Sequence, residues 1–129
     1  MTNFVFLNLA EVLAIHDDQV RQHGGSLGIR DQGLLESAQA ESTFGGQFVH
    51  EDVFAMAAAY AFHLASNHPF IDGNKRVALA VSATFLLLNG YEISADEEPL
   101  YEMMIGLASG QRDKDSIAAF FRANVVRAQ

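Results

Sequence analysis

Apolar residues recur at helical spacing along most of the chain, and short polar or glycine-rich gaps separate the runs. Asn8 followed by Glu11 reads as a capping box that opens a helix to about Gln22, with Leu9, Val12, Leu13 and Val20 as its apolar stripe. Gly24-Gly25 stop that helix and begin a loop through Gly28. Asp31 can cap a second helix to about Glu41, with Leu34, Leu35 and Ala38 facing inward. Gly45-Gly46 break the chain, and Gln47 to Val49 leave room for a short extended flap. A third helix is expected from about Asp52 to Asn67, where Val53, Met56, Ala57, Tyr60 and Leu64 keep helical spacing. Pro69 ends it, because the residue before a proline is pushed out of the helical region.

A fourth helix starts near Gly73 and closes at Asn89-Gly90, a good left-handed C-cap. From Val77 to Leu88 only Ser82 and Thr84 interrupt its apolar run. Twelve residues fall short of the roughly 20 that span a bilayer, so the pattern predicts a buried central helix. Tyr91 to Ser94 suit a brief strand. Two more helices follow, about Pro99 to Ser109 and Ser116 to Val126, the last packing Ile117, Phe120, Phe121 and Val125. The expected fold class is all-α, a helical bundle with at most a minor β element.

Composition narrows the function. With 19 alanines and 2 prolines the chain favours helices with few interruptions. No repeat or linker-like stretch divides residues 1–129, so a single domain is expected. Asp and Glu number 16 against 8 Lys and Arg, for a net charge of −8. Such a chain lacks the basic footprint of a nucleic-acid binder and is repelled by anionic membranes, so neither is expected as a direct partner. The absence of cysteine rules out disulfides, thiolate zinc sites and cysteine nucleophiles, and it suits a reducing, cytoplasmic setting. Phe4 to Leu7 are apolar but too short, and without the basic flank, for a signal peptide.

The candidate chemistry lies in His68-Pro69-Phe70-Ile71-Asp72-Gly73-Asn74-Lys75-Arg76. Lys75-Arg76 is the chain's only pair of adjacent basic residues, and it falls in the first turn of a helix. Cations there oppose the helix dipole, at about 0.3–1 kcal/mol each. A bound anion compensates, since free backbone N–H groups, the dipole and two cations would all point at a phosphate. Gly73 allows close approach of a ligand to the backbone, and Asn74 offers a side-chain donor. Asp72 can cap the helix or hold a Mg²⁺ that bridges phosphate oxygens. His68 has a pKa range suited to proton abstraction near neutrality, though a loop histidine before proline also serves as a capping or packing residue. Lys75 and Arg76 equally suit a solvated first turn paired with surface carboxylates. The other histidines (His16, His23, His50 and His63) show no zinc spacing.

As a block, HPFIDGNKR resembles the signature of the Fic/Doc family, a loop of the form HPFx(D/N/E)GN that opens a helix. The segment HGGSLGIRDQGLLESA from His23 to Ala38 and the Leu88-Asn89-Gly90-Tyr91 helix exit are similar to the death-on-curing branch of that family. The resemblance implies a Fic/Doc-type helical bundle. Adenylyl-transferring members continue GNGRxxR, whereas here Lys75 stands at the second glycine and Leu79 at the final arginine. The GNKR form is associated with toxins that bind ATP in the opposite sense and transfer its γ-phosphoryl group to a threonine of elongation factor Tu, halting translation. The resemblance therefore makes His68 the base, Asp72 the Mg²⁺ ligand, and Gly73, Asn74, Lys75 and Arg76 the phosphate cradle. Phe70 would anchor the loop, and Gly45 to His50 sit where a target-positioning flap occurs. It also implies a cognate Phd-like antitoxin whose disordered tail folds into an apolar groove beside the His68 loop. Ser37 and Glu41 match the start of an inhibitory (S/T)xxxE(G/N) helix, with Ser42 in place of the last residue. Two other readings are weighed: a nucleotidyltransferase that attaches AMP, and a non-catalytic anion-binding module.

Overall fold

The computed structural model describes residues 5–42 and 52–128. The expected flap from Gly45 to His50 lies outside them, and so do the side chains of Glu41 and Ser42 in the candidate inhibitory pattern. The helices in chain order are α1 (Leu9–His23), α2 (Gln32–Ser42), α3 (Val53–Asn67), α4 (Asn74–Leu88), α5 (Glu97–Ala108) and α6 (Lys114–Ala123). Two short strands, β1 (Tyr91–Ile93) and β2 (Val125–Arg127), pair antiparallel with Tyr91 opposite Arg127. The architecture is the expected helical bundle with a small β element.

Local chemistry sets the helix ends, and at α1 it does so as the sequence suggests. The Asn8 side chain accepts from the Glu11 N–H at 2.8 Å, and Glu11 answers to the Asn8 N–H at 3.0 Å, completing the capping box. Asp31, Asp52 and Asp113 each accept an N–H three residues on, from Leu34, Ala55 and Ser116. The last two helices differ in their bounds: α5 and α6 start at Glu97 and Lys114, two residues before the expected Pro99 and Ser116. The last helix, expected to reach Val126, ends at Ala123, because Asn124 leaves the helical region and its amide donates to the Phe120 carbonyl at 2.8 Å. The β-branched Val125 and Val126 then find their backbone partners in β1, a pairing that helical spacing alone does not reveal.

Helices α3 and α4 form the middle of the bundle. α3 packs against α2, α4, α5 and α6, and Ala57, Ala58, Ala59, Ala61 and Ala65 are buried, so neighbouring backbones come close. The Ser82 hydroxyl on α4 sits at 3.1 Å from the Ala57 carbonyl and 2.7 Å from the Ala78 carbonyl, so the polar break in the apolar run is satisfied across the helix pair. Burial of α4 is one-sided: Val77, Ala78, Val81, Phe85 and Leu86 face the core, whereas Leu87 and Leu88 are exposed. The N-terminal segment crosses this pair. Leu7 is buried, and its backbone N–H and carbonyl both bond the Tyr60 hydroxyl, whose titration burial pushes well above the ordinary tyrosine range. No helix among the described residues is long and apolar enough to cross a membrane.

Candidate functional site

The loop from His68 to Gly73 connects the end of α3 to the start of α4, and it begins and ends in left-handed backbone. His68 has φ 47° and ψ 54°; among the described residues it is the one non-glycine with positive φ. Gly73 has φ 78° and ψ 20°, a conformation that glycine adopts without steric cost. Between them Phe70 is 1% exposed, and its ring stacks on His16 with centroids 3.7 Å apart and planes 7° from parallel. Phe70 therefore anchors the loop as expected.

His16 does more than pack. Its Nε2 lies 2.7 Å from the Asp72 carbonyl oxygen. A carbonyl only accepts, so Nε2 carries the proton and donates. A buried histidine on α1 thus holds the loop at two points, the Phe70 ring and the Asp72 carbonyl. The Asn74 amide closes the same turn, with Oδ1 accepting from the Phe70 N–H and Nδ2 donating to the Phe70 carbonyl, both at 3.0 Å. Expected as a phosphate donor, Asn74 shapes the loop and keeps one amide N–H beyond those bonds.

The segment from Gly24 to Asp31 forms a collar over the loop. The Pro69 carbonyl accepts from the Arg30 N–H at 2.7 Å and the Asp31 N–H at 3.0 Å, and the Gly28 carbonyl accepts from Ile71 at 3.1 Å. The Ser26 N–H reaches the Asp72 carboxylate at 3.3 Å. Gly25 (φ 111°) passes so near that a Cβ there would stand 2.7 Å from the same carboxylate oxygen.

The helix start is open to an anion. Its N-cap is Gly73, which supplies no capping side chain, so the first-turn N–H groups have no side-chain acceptor there. Asp72 lies one residue outside the N-cap position that the sequence left open to it; its carboxylate instead accepts the Gly73 N–H at 2.9 Å. Lys75 and Arg76 are exposed, and among the described residues neither makes an ion pair. Their sequence alternative, a first turn paired with carboxylates, is thus not found there. Arg76 makes one long bond, 3.4 Å, to the His23 carbonyl. His68 and Asp72 are exposed, so the base candidate, the carboxylate and the cationic turn are all accessible.

The donor set fits Mg²⁺ in one manner. No group of three metal-ligating side chains occurs among the described residues, but Mg²⁺ is commonly held by one or two carboxylates together with phosphate oxygens and water. The exposed Asp72 beside a helix start that has no side-chain cap and carries two cations suits such an arrangement. A cleft of about 210 Å³ lies behind the loop, against Leu13, His16, Leu27 and Phe70. A larger one, about 650 Å³, opens between α5 and α6 and includes no residue of the His68–Arg76 segment.

Reasoning from the sequence missed His16 and Arg30. His16 carried a signal, since it continues the Leu9, Val12, Leu13 stripe at helical spacing, where a polar residue needs a buried partner. Arg30 carried none: its acceptors are backbone carbonyls more than thirty-five residues away.

Comparison with known proteins identifies the family of the chain. The sequence model described as "Fic/DOC family" matches residues 6–86, which include the whole loop and the helix start. The chain is 41% identical over 100 residues to a protein named "Toxin Doc" from Mycolicibacterium smegmatis, covering 74% of this chain and 77% of that protein. It is 32% identical over 114 residues to "Protein kinase doc" of Escherichia phage P1, covering 87% of this chain and 89% of the phage protein.

Proposed function

The chain belongs to the Fic/Doc family, and we propose that it is the toxin of a toxin–antitoxin pair, a phosphotransferase that moves the γ-phosphoryl group of ATP to a serine or threonine hydroxyl. The observation that carries this reading is the first turn of α4. A glycine-capped helix start, without a side-chain cap, presents Lys75 and Arg76 beside an accessible carboxylate and an accessible histidine. The names of the two relatives, a toxin and a protein kinase, support the same direction.

In this mechanism His68 removes the proton from the target hydroxyl, whose oxygen attacks phosphorus as ADP leaves. Backbone N–H groups at Gly73 to Arg76, with the Lys75 and Arg76 cations, hold the phosphates and offset the charge that builds on them. Asp72 would hold Mg²⁺, which supplies further charge neutralisation when bound. Asn74 and His16 keep the turn in shape while substrates come and go.

The choice of phosphate follows from two positions. Lys75 puts a charged side chain where adenylylating members have glycine. Leu79, where they have arginine, packs half-buried against the core and is no phosphate ligand. Both favour the γ-phosphate under attack. The protein target is proposed as a translation factor, with elongation factor Tu the first candidate. The antitoxin is proposed as Phd-like with a disordered tail, and the net charge of −8 favours basic residues on its rim. ATP labelled at the α- or the γ-phosphate, incubated with Mg²⁺ and elongation factor Tu, tests the reaction. Label from the γ position is expected on the protein; covalent label from the α position would establish nucleotidyl transfer instead.

A further inference from the structure

We propose that Arg30 is a positioning residue for the reaction, holding the base His68 in its left-handed backbone; the inference rests on the phosphotransferase reading above. The conformation calls for a cause. A left-handed residue with a Cβ is unfavourable, and such strain persists where the surroundings impose it. Pro69 explains half: the residue before a proline is driven from right-handed helix, so α3 cannot continue through His68. Proline steers that residue to extended backbone, however, and His68 is left-handed.

Arg30 supplies the other half. Its Nε donates to the His68 carbonyl at 2.7 Å and its Nη2 to the Asn67 carbonyl at 2.9 Å. Its own backbone N–H donates to the Pro69 carbonyl at 2.7 Å. One residue therefore binds three consecutive carbonyls, and the planar guanidinium fork fixes the angle between two of them. Extended backbone at His68 would rotate its carbonyl away from the fork. The positive charge also suits the negative end of α3. The α4 cradle is held separately, by His16 on Asp72 and by Asn74 on Phe70, so loss of Arg30 should release the base and leave the phosphate site in place.

The test compares Arg30→Ala, Arg30→Lys and His68→Ala in the full chain. For Arg30→Ala, kcat is expected to fall about tenfold to a hundredfold, as for a misplaced catalytic group, with KM for ATP and Mg²⁺-ATP affinity close to wild type. Ethylguanidinium should restore part of the rate, and Arg30→Lys, with a single ammonium in place of the fork, should lie between. The ¹³Cα and ¹³Cβ shifts of His68, which report its backbone region, should move toward extended values while core signals stay put. An Arg30→Ala variant with unchanged kcat and unchanged His68 shifts would overturn the proposal. So would kcat and nucleotide affinity falling together without guanidinium rescue, the mark of a merely structural role. If His68→Ala transfers at the wild-type rate, the assignment of His68 as base fails instead, and if the wild type transfers no γ-phosphoryl group the phosphotransferase reading fails; in either case the shifts still decide whether Arg30 holds His68.

Discussion

Helix α3 begins at Asp52 with the means of closure supplied nearby: the carboxylate accepts from the Ala55 N–H at 2.8 Å and takes the Arg122 guanidinium at 2.7 Å. Its far end, and the start of α4 just beyond, are finished otherwise. There a strained His68 is gripped from a segment thirty-eight residues earlier, and Gly73 leaves the next helix without a side-chain cap, with two cations in its first turn. The same helical physics applies at both places, so the difference marks what each is for. Where neighbours complete the helix end, nothing remains to bind a ligand. Where orphan N–H groups and uncompensated cations persist, room is left for the anion proposed above to complete them.

The sharpest way to break that contrast is at His68. Removal of the proposed base in His68→Ala should cost about 10²- to 10⁴-fold in transfer rate, read with labelled ATP, while the circular dichroism melt stays cooperative. His68→Gly should be equally inactive yet more stable than the alanine variant, by about 1–2 kcal/mol, because glycine adopts the left-handed backbone freely. Equal melting temperatures for the two would mean that the strain inferred at this end is absent.

His16 comes next. Truncation to alanine removes a buried ring stacked on Phe70 and the donor to the Asp72 carbonyl. Unfolding in urea should show a loss of about 2–3 kcal/mol, and His16→Gln, which keeps a donor, should recover some of it. A loss well below 1 kcal/mol would show that the cradle does not depend on α1.

These two residues also show what a sequence can reveal. The capping box, the glycine stops and the contiguous His68–Arg76 block are legible because their partners lie a few residues away. His16 pairs with an atom fifty-six residues on and shows only as a polar break in an apolar stripe. Arg30 binds carbonyls, which every residue possesses, so nothing in its neighbourhood names its partners. Val125 continues the spacing of Ile117 and Phe121, and only the β1 pairing turns it into a strand. Helix ends are local chemistry; contacts made to a distant backbone are not.

At the completed end, Asp52→Ala should lose about 1 kcal/mol through the missing cap. The carboxyl also carries a pH signature. Partial burial works to raise its pKa, but the Ala55 N–H, the Arg122 guanidinium and the Phe54 N–H outweigh it and hold the pKa below the ordinary 3.8. A lowered native pKa stabilises the fold above the ordinary value, and that contribution fades as pH falls below 3.8 toward the native one. The stability gap between wild type and Asp52→Asn should therefore be open at neutral pH and close in acid. The pair is partly solvent-exposed, so raised salt should narrow the gap as well.

Lys75→Ala is the smallest effect and the one with the opposite sign. Like Asp52, Lys75 lies at a helix N-terminus, but its charge opposes the dipole and among the described residues no carboxylate pairs with it. Its removal should stabilise the nucleotide-free protein by about 0.3–1 kcal/mol, where loss of Asp52 destabilises. With Mg²⁺-ATP present the order should reverse. A ligand that binds only the folded state raises the melting temperature in proportion to its affinity, and a variant lacking one cation of the cradle gains less from it. Thermal melts of wild type and Lys75→Ala across an ATP series should therefore cross: the variant higher without nucleotide, wild type higher at saturation. If the variant melts lower throughout, Lys75 supports the fold and the first turn of α4 is an ordinary helix start; if the curves run parallel, Lys75 does not touch the phosphates.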